Sequence, residues 1–213
     1  MAESVTCPRR GRRRVCRAAV LAGAAALTVG VVSGCSSSSA DGHTGSAATP
    51  AKAAPASFLE PAVPDHISIP DIKVDAKLGA VGLDAKGEME VPPLDKPMQA
   101  AWYKLGASPG EKGAATIAGH MDTPNAPKAV FYNLKELKKN AEIDVHRKDG
   151  TTAVFTVDEV GTYKKSEFPT QKVYGKTDKA ELRLITCGGD LTQSRHWDSN
   201  VVVFAHLAGK KTA

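Results

Sequence analysis

From His66 onward, apolar and polar positions alternate with a period of two. The segments His66-Ile-Ser-Ile69, Lys73 to Val81, Ala114 to Ala118, Ala141 to His146, Thr151 to Tyr163, Glu181 to Thr186 and Val201 to Leu207 are short, rich in β-branched residues, and bounded by Gly, Pro or Asp. They predict seven or eight strands. Asp149-Gly150 falls between two such runs and predicts a tight hairpin, and Asp84 to Gly87 predicts a slightly longer turn. One helix is expected: Phe131, Leu134 and Leu137 recur at a spacing of three, Lys138 and Lys139 place cations near the end, and Asn140 supplies a stop. Many short strands with few helices predict a mainly β domain, a closed barrel or a sandwich.

The pattern is different before residue 58. Ala18 to Val32 is an uncharged run of 15 residues behind an Arg cluster, short for a membrane span but suited to the apolar core of a signal peptide. It ends at Val32-Ser33-Gly34-Cys35 followed by four Ser, which resembles a bacterial lipoprotein cleavage site and makes Cys35 the expected lipid anchor. A short uncleaved anchor is the alternative, and adjacent Arg pairs also fit twin-arginine export. Residues 36–57 are Ser, Ala, Gly, Pro and Thr with few large apolar side chains, a linker that cannot offset its own ordering entropy. The expected organisation is thus 1–35 leader or anchor, 36–57 linker and 58–213 catalytic domain, on the extracytoplasmic face of the cell membrane.

Charge supports the same division. Lys and Arg number 28 against 23 Asp and Glu, but six Arg (9, 10, 12, 13, 14, 17) against the single acid Glu3 place the whole excess of +5 in the first 34 residues. The remainder is balanced, leaving no basic stripe to follow phosphates, so nucleic acid is not an expected partner.

Cysteine arithmetic then narrows the chemistry. Cys7 and Cys16 fall in the leader and Cys35 at its end, so the globular region holds one thiol, Cys187, with no disulfide partner. Cys187 ends the apolar run Leu182 to Thr186 and precedes Gly188-Gly189, a strand end beside permissive backbone, where sites are built. A buried, inert Cys is the bland alternative. A reactive thiol needs a base or cation beside it. Of the six His, His43 is in the linker and His66, His146 and His206 fall within strands, whereas His120 closes the strand Ala115 to Gly119 and opens a polar loop. His196, nine residues past Cys187, is the rival.

In order along the chain, Ile69-Pro-Asp-Ile-Lys-Val-Asp75, Val81-Gly-Leu-Asp84, Glu90-Val-Pro92, Ile117-Ala-Gly-His120, Leu184-Ile-Thr-Cys-Gly-Gly189 and Asn200-Val-Val-Val-Phe-Ala205 resemble segments of the sortases, cysteine transpeptidases that join surface proteins to the bacterial cell wall. The Thr-Cys-Gly-Gly step is most similar to the actinobacterial class F group. The resemblance implies a closed eight-stranded β-barrel with a few short helices, and His, Cys and Arg meeting at one end. It assigns His120 as the acid and base and Cys187 as the nucleophile. The last strand carries no Arg, so by elimination the Arg is Arg195, closer to the Cys than in many relatives.

The implied reaction is thioester formation on a Leu-Pro-Xaa-Thr-Gly-like sorting signal, cut between Thr and Gly, then transfer to an amine acceptor of the cell wall. No metal or cofactor is required. Thr186, Asp122, His196 and Trp197 are candidate substrate contacts, and 121–129 and 166–176 candidate groove loops. An L,D-transpeptidase would carry a Ser-His-Gly-Cys run, absent here, and a Cys-first peptidase order is absent too. The other alternative is a non-catalytic exported lipoprotein binding module with an inert thiol.

Overall fold

The computed structural model describes residues 58–212. The leader with Cys35 and the linker lie outside the described residues, as do Cys7, Cys16 and His43. Eight strands are formed: β1 (Pro64–Ile69), β2 (Val74–Val81), β3 (Ala100–Tyr103), β4 (Gly113–Ala118), β5 (Glu142–Arg147), β6 (Thr151–Lys164), β7 (Ala180–Leu191) and β8 (Trp197–Thr212). They close in the order β1-β2-β3-β4-β7-β8-β6-β5, so no edge is left unpaired. Pairings are antiparallel except β2 with β3 and β4 with β7.

Alternation explains which way each strand faces. Ile67, Ile117, Ile143, Phe155, Leu182 and Leu184 are fully buried inside the barrel. The out-of-phase residues Ile185, Val202 and Phe204 form a second cluster on the outer wall, covered by Val173 of α1 (Thr170–Tyr174), with Tyr163 and Phe168 packed at its margin. Two periods of side chain therefore give β7 and β8 two apolar faces, one to the core and one to α1. The Asp149-Gly150 hairpin forms as expected: the Gly150 N–H donates to the Arg147 carbonyl at 3.1 Å, and Gly150 takes a left-handed φ of 79°.

Three local expectations change. Residues 131–137 do not make an α-helix; only Leu134–Glu136 forms a 3-10 turn, with Phe131, Leu134 and Leu137 all buried. A spacing of three matches the 3-10 period better than 3.6; the turn is capped at Leu137, and Asn140, three residues beyond, takes the left-handed region (φ 71°). β3 and α1 were not foreseen, and β7 and β8 run past their apolar cores into a polar hairpin. Among the described residues no helix is long and apolar enough to cross a membrane.

Candidate active site

The parallel pairing of β4 with β7 sets the centre of the site. Ala118 lies opposite Ile185, and the Gly119 N–H closes this last pair of the ladder by donating to the Ile185 carbonyl at 3.0 Å. In a parallel pair, neighbours in register face the same side. His120 and Cys187 each lie two residues past this last pair, at the same end of the two strands, and both are half-buried. The two sequence-predicted residues, 67 positions apart, thus follow the ends of two paired strands.

The backbone around each residue holds it there. His120 leaves the strand with its carbonyl accepting the Phe131 N–H at 2.9 Å, which ties the polar loop back to the buried Phe131. Its Nε2 lies 2.7 Å from the Pro92 carbonyl oxygen. A carbonyl only accepts, so Nε2 carries the hydrogen and Nδ1 is the nitrogen left to exchange a proton. Pro92 belongs to the Glu90-Val-Pro92 segment, to which sequence reasoning gave no role. On β7, Gly189 takes φ 82°, and a Cβ there would meet Asp198 Oδ1 at 2.2 Å and Ser199 Oγ at 2.5 Å. Only glycine allows β7 to turn this closely past β8 just beyond the thiol.

Cys187, Thr186, Asp122 and Trp197 line one cavity of about 580 Å³ at the mouth of the barrel, with Tyr132 and Lys135 across from them. The Trp197 Nε1–H donates to Asp122 Oδ1 at 2.9 Å, so these two candidates form one unit that fixes a carboxylate at the cavity wall. Thr186 faces inward, and its buried Oγ1 has no hydrogen-bond partner among the described residues. A larger hollow, about 790 Å³, is lined by Leu105, Lys112, Tyr174 and Lys176 at the start of β4. Gly113 pairs with Ala180, and the seven-position step along β7 from Ala180 to Cys187 puts the hollow ~23 Å from the thiol, so it takes no part in chemistry at Cys187.

Arg195 and His196 do not join this group. Both are exposed at the tip of the β7–β8 hairpin, where the Arg195 N–H donates to the Thr192 carbonyl at 2.8 Å and Arg195 takes φ 59°. His196 Nδ1 is 2.8 Å from the Ser194 carbonyl within the same turn. Neither lines the cavity that holds Cys187. The cation found next to the sulfur is one that sequence reasoning missed: Lys165 Nζ lies 3.9 Å from Cys187 Sγ.

The arrangement places a half-buried thiol with an ammonium and an open cavity at the barrel end that also carries the His120 imidazole, the parts of an acyl-transfer site that works through a thiolate. The Sortase domain family matches residues 67–208, which span both His120 and Cys187. Among solved structures, the chain is similar to sortase A of Listeria monocytogenes (TM-score 0.53, 18% identity, covering 72% of this chain and 92% of that one). It is also similar to the SrtA sortase of Actinomyces oris (TM-score 0.53, 20% identity, 73% of this chain and 83% of that one). A lid mutant of sortase A from Corynebacterium diphtheriae gives a TM-score of 0.51 at 23% identity, over 70% of this chain and 72% of that one. These likenesses establish the fold, an eight-stranded closed barrel. No curated protein sequence matches the chain.

Proposed function

This chain belongs to the sortase family of cysteine transpeptidases, and we propose that it cuts a Leu-Pro-Xaa-Thr-Gly-like sorting signal between Thr and Gly and passes the acyl group to a cell-wall amine. The observation that supports this reading is the β4–β7 pairing up to Ala118–Ile185, from which both strands lead into His120 and Cys187 at the same end of the barrel. The thiolate of Cys187 forms a bond to the Thr carbonyl carbon. The C=O electron pair moves to oxygen and then returns as the C–N bond breaks. His120, as imidazolium, gives its proton to the departing Gly amine and later takes one from the incoming amine.

The cavity on the barrel-mouth side of Cys187 suits that incoming amine. Asp122, held by Trp197, supplies a fixed carboxylate for an ammonium, and Tyr132 and Trp197 supply aromatic surface. Arg195 enters this scheme as the family's Arg only if the hairpin tip folds inward over the groove. The leader supports export and tethering at the membrane, with Cys35 as the acylated residue. The class F resemblance supports an actinobacterial type of sortase.

The test uses the full-length chain, a fluorogenic peptide set of the Leu-Pro-Xaa-Thr-Gly type and an amine acceptor, with peptide mass mapping of Cys187. The expected result is a thioester adduct on Cys187 that is lost in Cys187→Ala and discharged by the amine. Turnover that survives Cys187→Ala would sink the reading.

A further inference from the structure

We propose that Glu90 is a positioning residue for the acyl-transfer reaction: its carboxylate closes the connection between β2 and β3 so that the Pro92 carbonyl holds the His120 ring in one orientation and one tautomer. The proposal rests on the acyl-transfer reading above and names what keeps its acid and base in place.

The ring of His120 has a single hydrogen-bond partner among the described residues, the Pro92 carbonyl at 2.7 Å from Nε2. That carbonyl comes from a buried residue 28 positions earlier, in the connection of residues 82–99 that joins the parallel strands β2 and β3. An oxygen on so long a connection orients a ring only if the connection is itself held. Pro92 and Pro93 have no N–H to donate, so the hold must come from the residues around them.

Glu90 supplies it on the near side. The Gly82 N–H donates to Glu90 Oε2 at 2.7 Å, and the Glu90 N–H donates back to the Gly82 carbonyl at 3.0 Å. Gly82 is buried and directly follows the end of β2, where the Val81 carbonyl also accepts the Lys104 N–H at 3.0 Å. Between Gly82 and Glu90 the chain makes a tight hairpin, with the Asp84 N–H donating to the Glu88 carbonyl at 2.8 Å and Leu83 bridged to Met89. On the far side of Pro92, the Val130 N–H donates to the Pro97 carbonyl at 2.9 Å. The carbonyl that meets His120 is thus slung between two fixed points, and Glu90 is the only one of them that uses a side chain. Glu90 makes no ion pair among the described residues, so its carboxylate serves the Gly82 N–H and not a cation. Without that carboxylate a buried N–H loses its acceptor and the near anchor shrinks to one backbone bond.

The proton balance places Glu90 outside the chemistry. Nε2 keeps its hydrogen on the Pro92 carbonyl throughout, Nδ1 gives a proton to the departing amine and takes one from the incoming amine, and Glu90 exchanges none. A ring released from Pro92 populates the second neutral tautomer, whose lone pair lies on Nε2, the nitrogen turned away from the reaction.

The experiment compares Glu90→Ala, Glu90→Gln and Glu88→Ala with the parent in the full-length chain. It reads kcat and KM for sorting-peptide turnover, and the ring 15N shifts of His120 at about pH 9, where imidazole is neutral; a His120→Ala spectrum assigns the signals. Glu90→Ala is expected to lower kcat about tenfold with KM for the peptide within about twofold, the loss of one hydrogen bond to a charged group. Its two ring shifts are expected to move toward each other as the tautomers mix. Glu90→Gln keeps an oxygen for the Gly82 N–H and is expected to restore kcat to within about threefold of the parent, while Glu88→Ala, the other acid of the hairpin, changes neither readout. Glu90→Met serves as the variant without an acceptor if Glu90→Ala does not fold. An unchanged kcat in Glu90→Ala, a lowered kcat with parental ring shifts, or a Glu90→Gln no better than Glu90→Ala overturns the proposal. If the parent forms no acyl adduct at all, the acyl-transfer reading falls, and the ring shifts of parent and Glu90→Ala alone uphold or overturn the hold of Glu90 on His120.

Discussion

On its β4 side Cys187 is approached through an unbroken parallel ladder from Gly113–Ala180 to Ala118–Ile185, whereas on its β8 side the antiparallel ladder shifts register between Gly188 and Leu191. The first flank leads into His120, two residues past the last pair of the ladder. The second ends in an exposed turn, and its cation comes instead from β6, one strand further away. A residue placed by a ladder is fixed by backbone hydrogen bonds, so its identity can be read from the strand that carries it. A residue that reaches across a ladder is fixed by its neighbours, and no local pattern announces it. The difference suggests that the position of the histidine depends on where the ladder ends, and that of the ammonium beside the thiol on side-chain reach.

The sharpest test of the register flank is removal of the imidazole. His120→Ala is expected to lower turnover by about 10²–10⁴-fold, the range for a lost general acid–base group. Cys187 in that variant should still be alkylated, because Lys165 remains beside it. Steady-state kinetics with alkylation in parallel measures both, and turnover within tenfold of the parent would break the assigned division of labour.

A smaller change attacks the same flank through the backbone. Gly119 packs so closely that an added Cβ would lie 2.5 Å from Phe131 Cδ2 and 2.7 Å from Val130 Cγ1. Gly119→Ala is expected to cost about 1–3 kcal/mol of stability from overpacking. It should also push His120 out of register, so kcat falls by more than the lost stability explains. Thermal melts and kcat on the same preparation check this; normal kcat at a lowered Tm would mean that the register carries no catalytic weight.

These flanks also explain how far the sequence could be read. The strand-end positions of His120 and Cys187, the Asp149-Gly150 turn and most strands follow from period-two alternation and local punctuation. β3 escaped because Ala100-Ala-Trp-Tyr103 does not alternate and follows a Pro-rich stretch. Lys165 escaped because its proximity to Cys187 depends on the β6–β8–β7 register, 22 residues away along the chain. The available signal was a Lys-Lys pair directly after the longest alternating run, which reads as solvated charge unless the pairing is known. Arg195 was inferred from a family pattern that places Arg near the last strand, and the hairpin tip carries it away from the cavity.

At the cavity wall, Trp197→Phe keeps the aromatic surface and removes the Nε1–H that holds Asp122. One lost hydrogen bond of about 1 kcal/mol predicts a rise of about fivefold in KM for the amine acceptor, with acylation by the sorting peptide little changed. Equal effects on both half-reactions would place Asp122 with the sorting signal instead.

The smallest expected effect concerns the clamp at the root of Lys165. The Lys164 ammonium, with the Ser199 hydroxyl and the Asp190 N–H, lowers the Asp198 carboxyl to about 2 from its ordinary 3.8. A depressed carboxylate contributes stability above the unfolded value and loses it as pH falls through the folded one, so the clamp holds at neutral pH and opens from about pH 4 down to about 2. Because the pair is exposed, the gain in Tm is small. Asp198→Asn is therefore expected to flatten the fall in Tm between pH 4 and 2, and at neutral pH to slow peptide turnover modestly by loosening Lys165. An identical pH slope in both proteins would show that the clamp is a surface pair with no hold on the site. A flattened slope with unaltered turnover would show that Lys165 keeps its place beside the thiol without its neighbour, by side-chain reach alone.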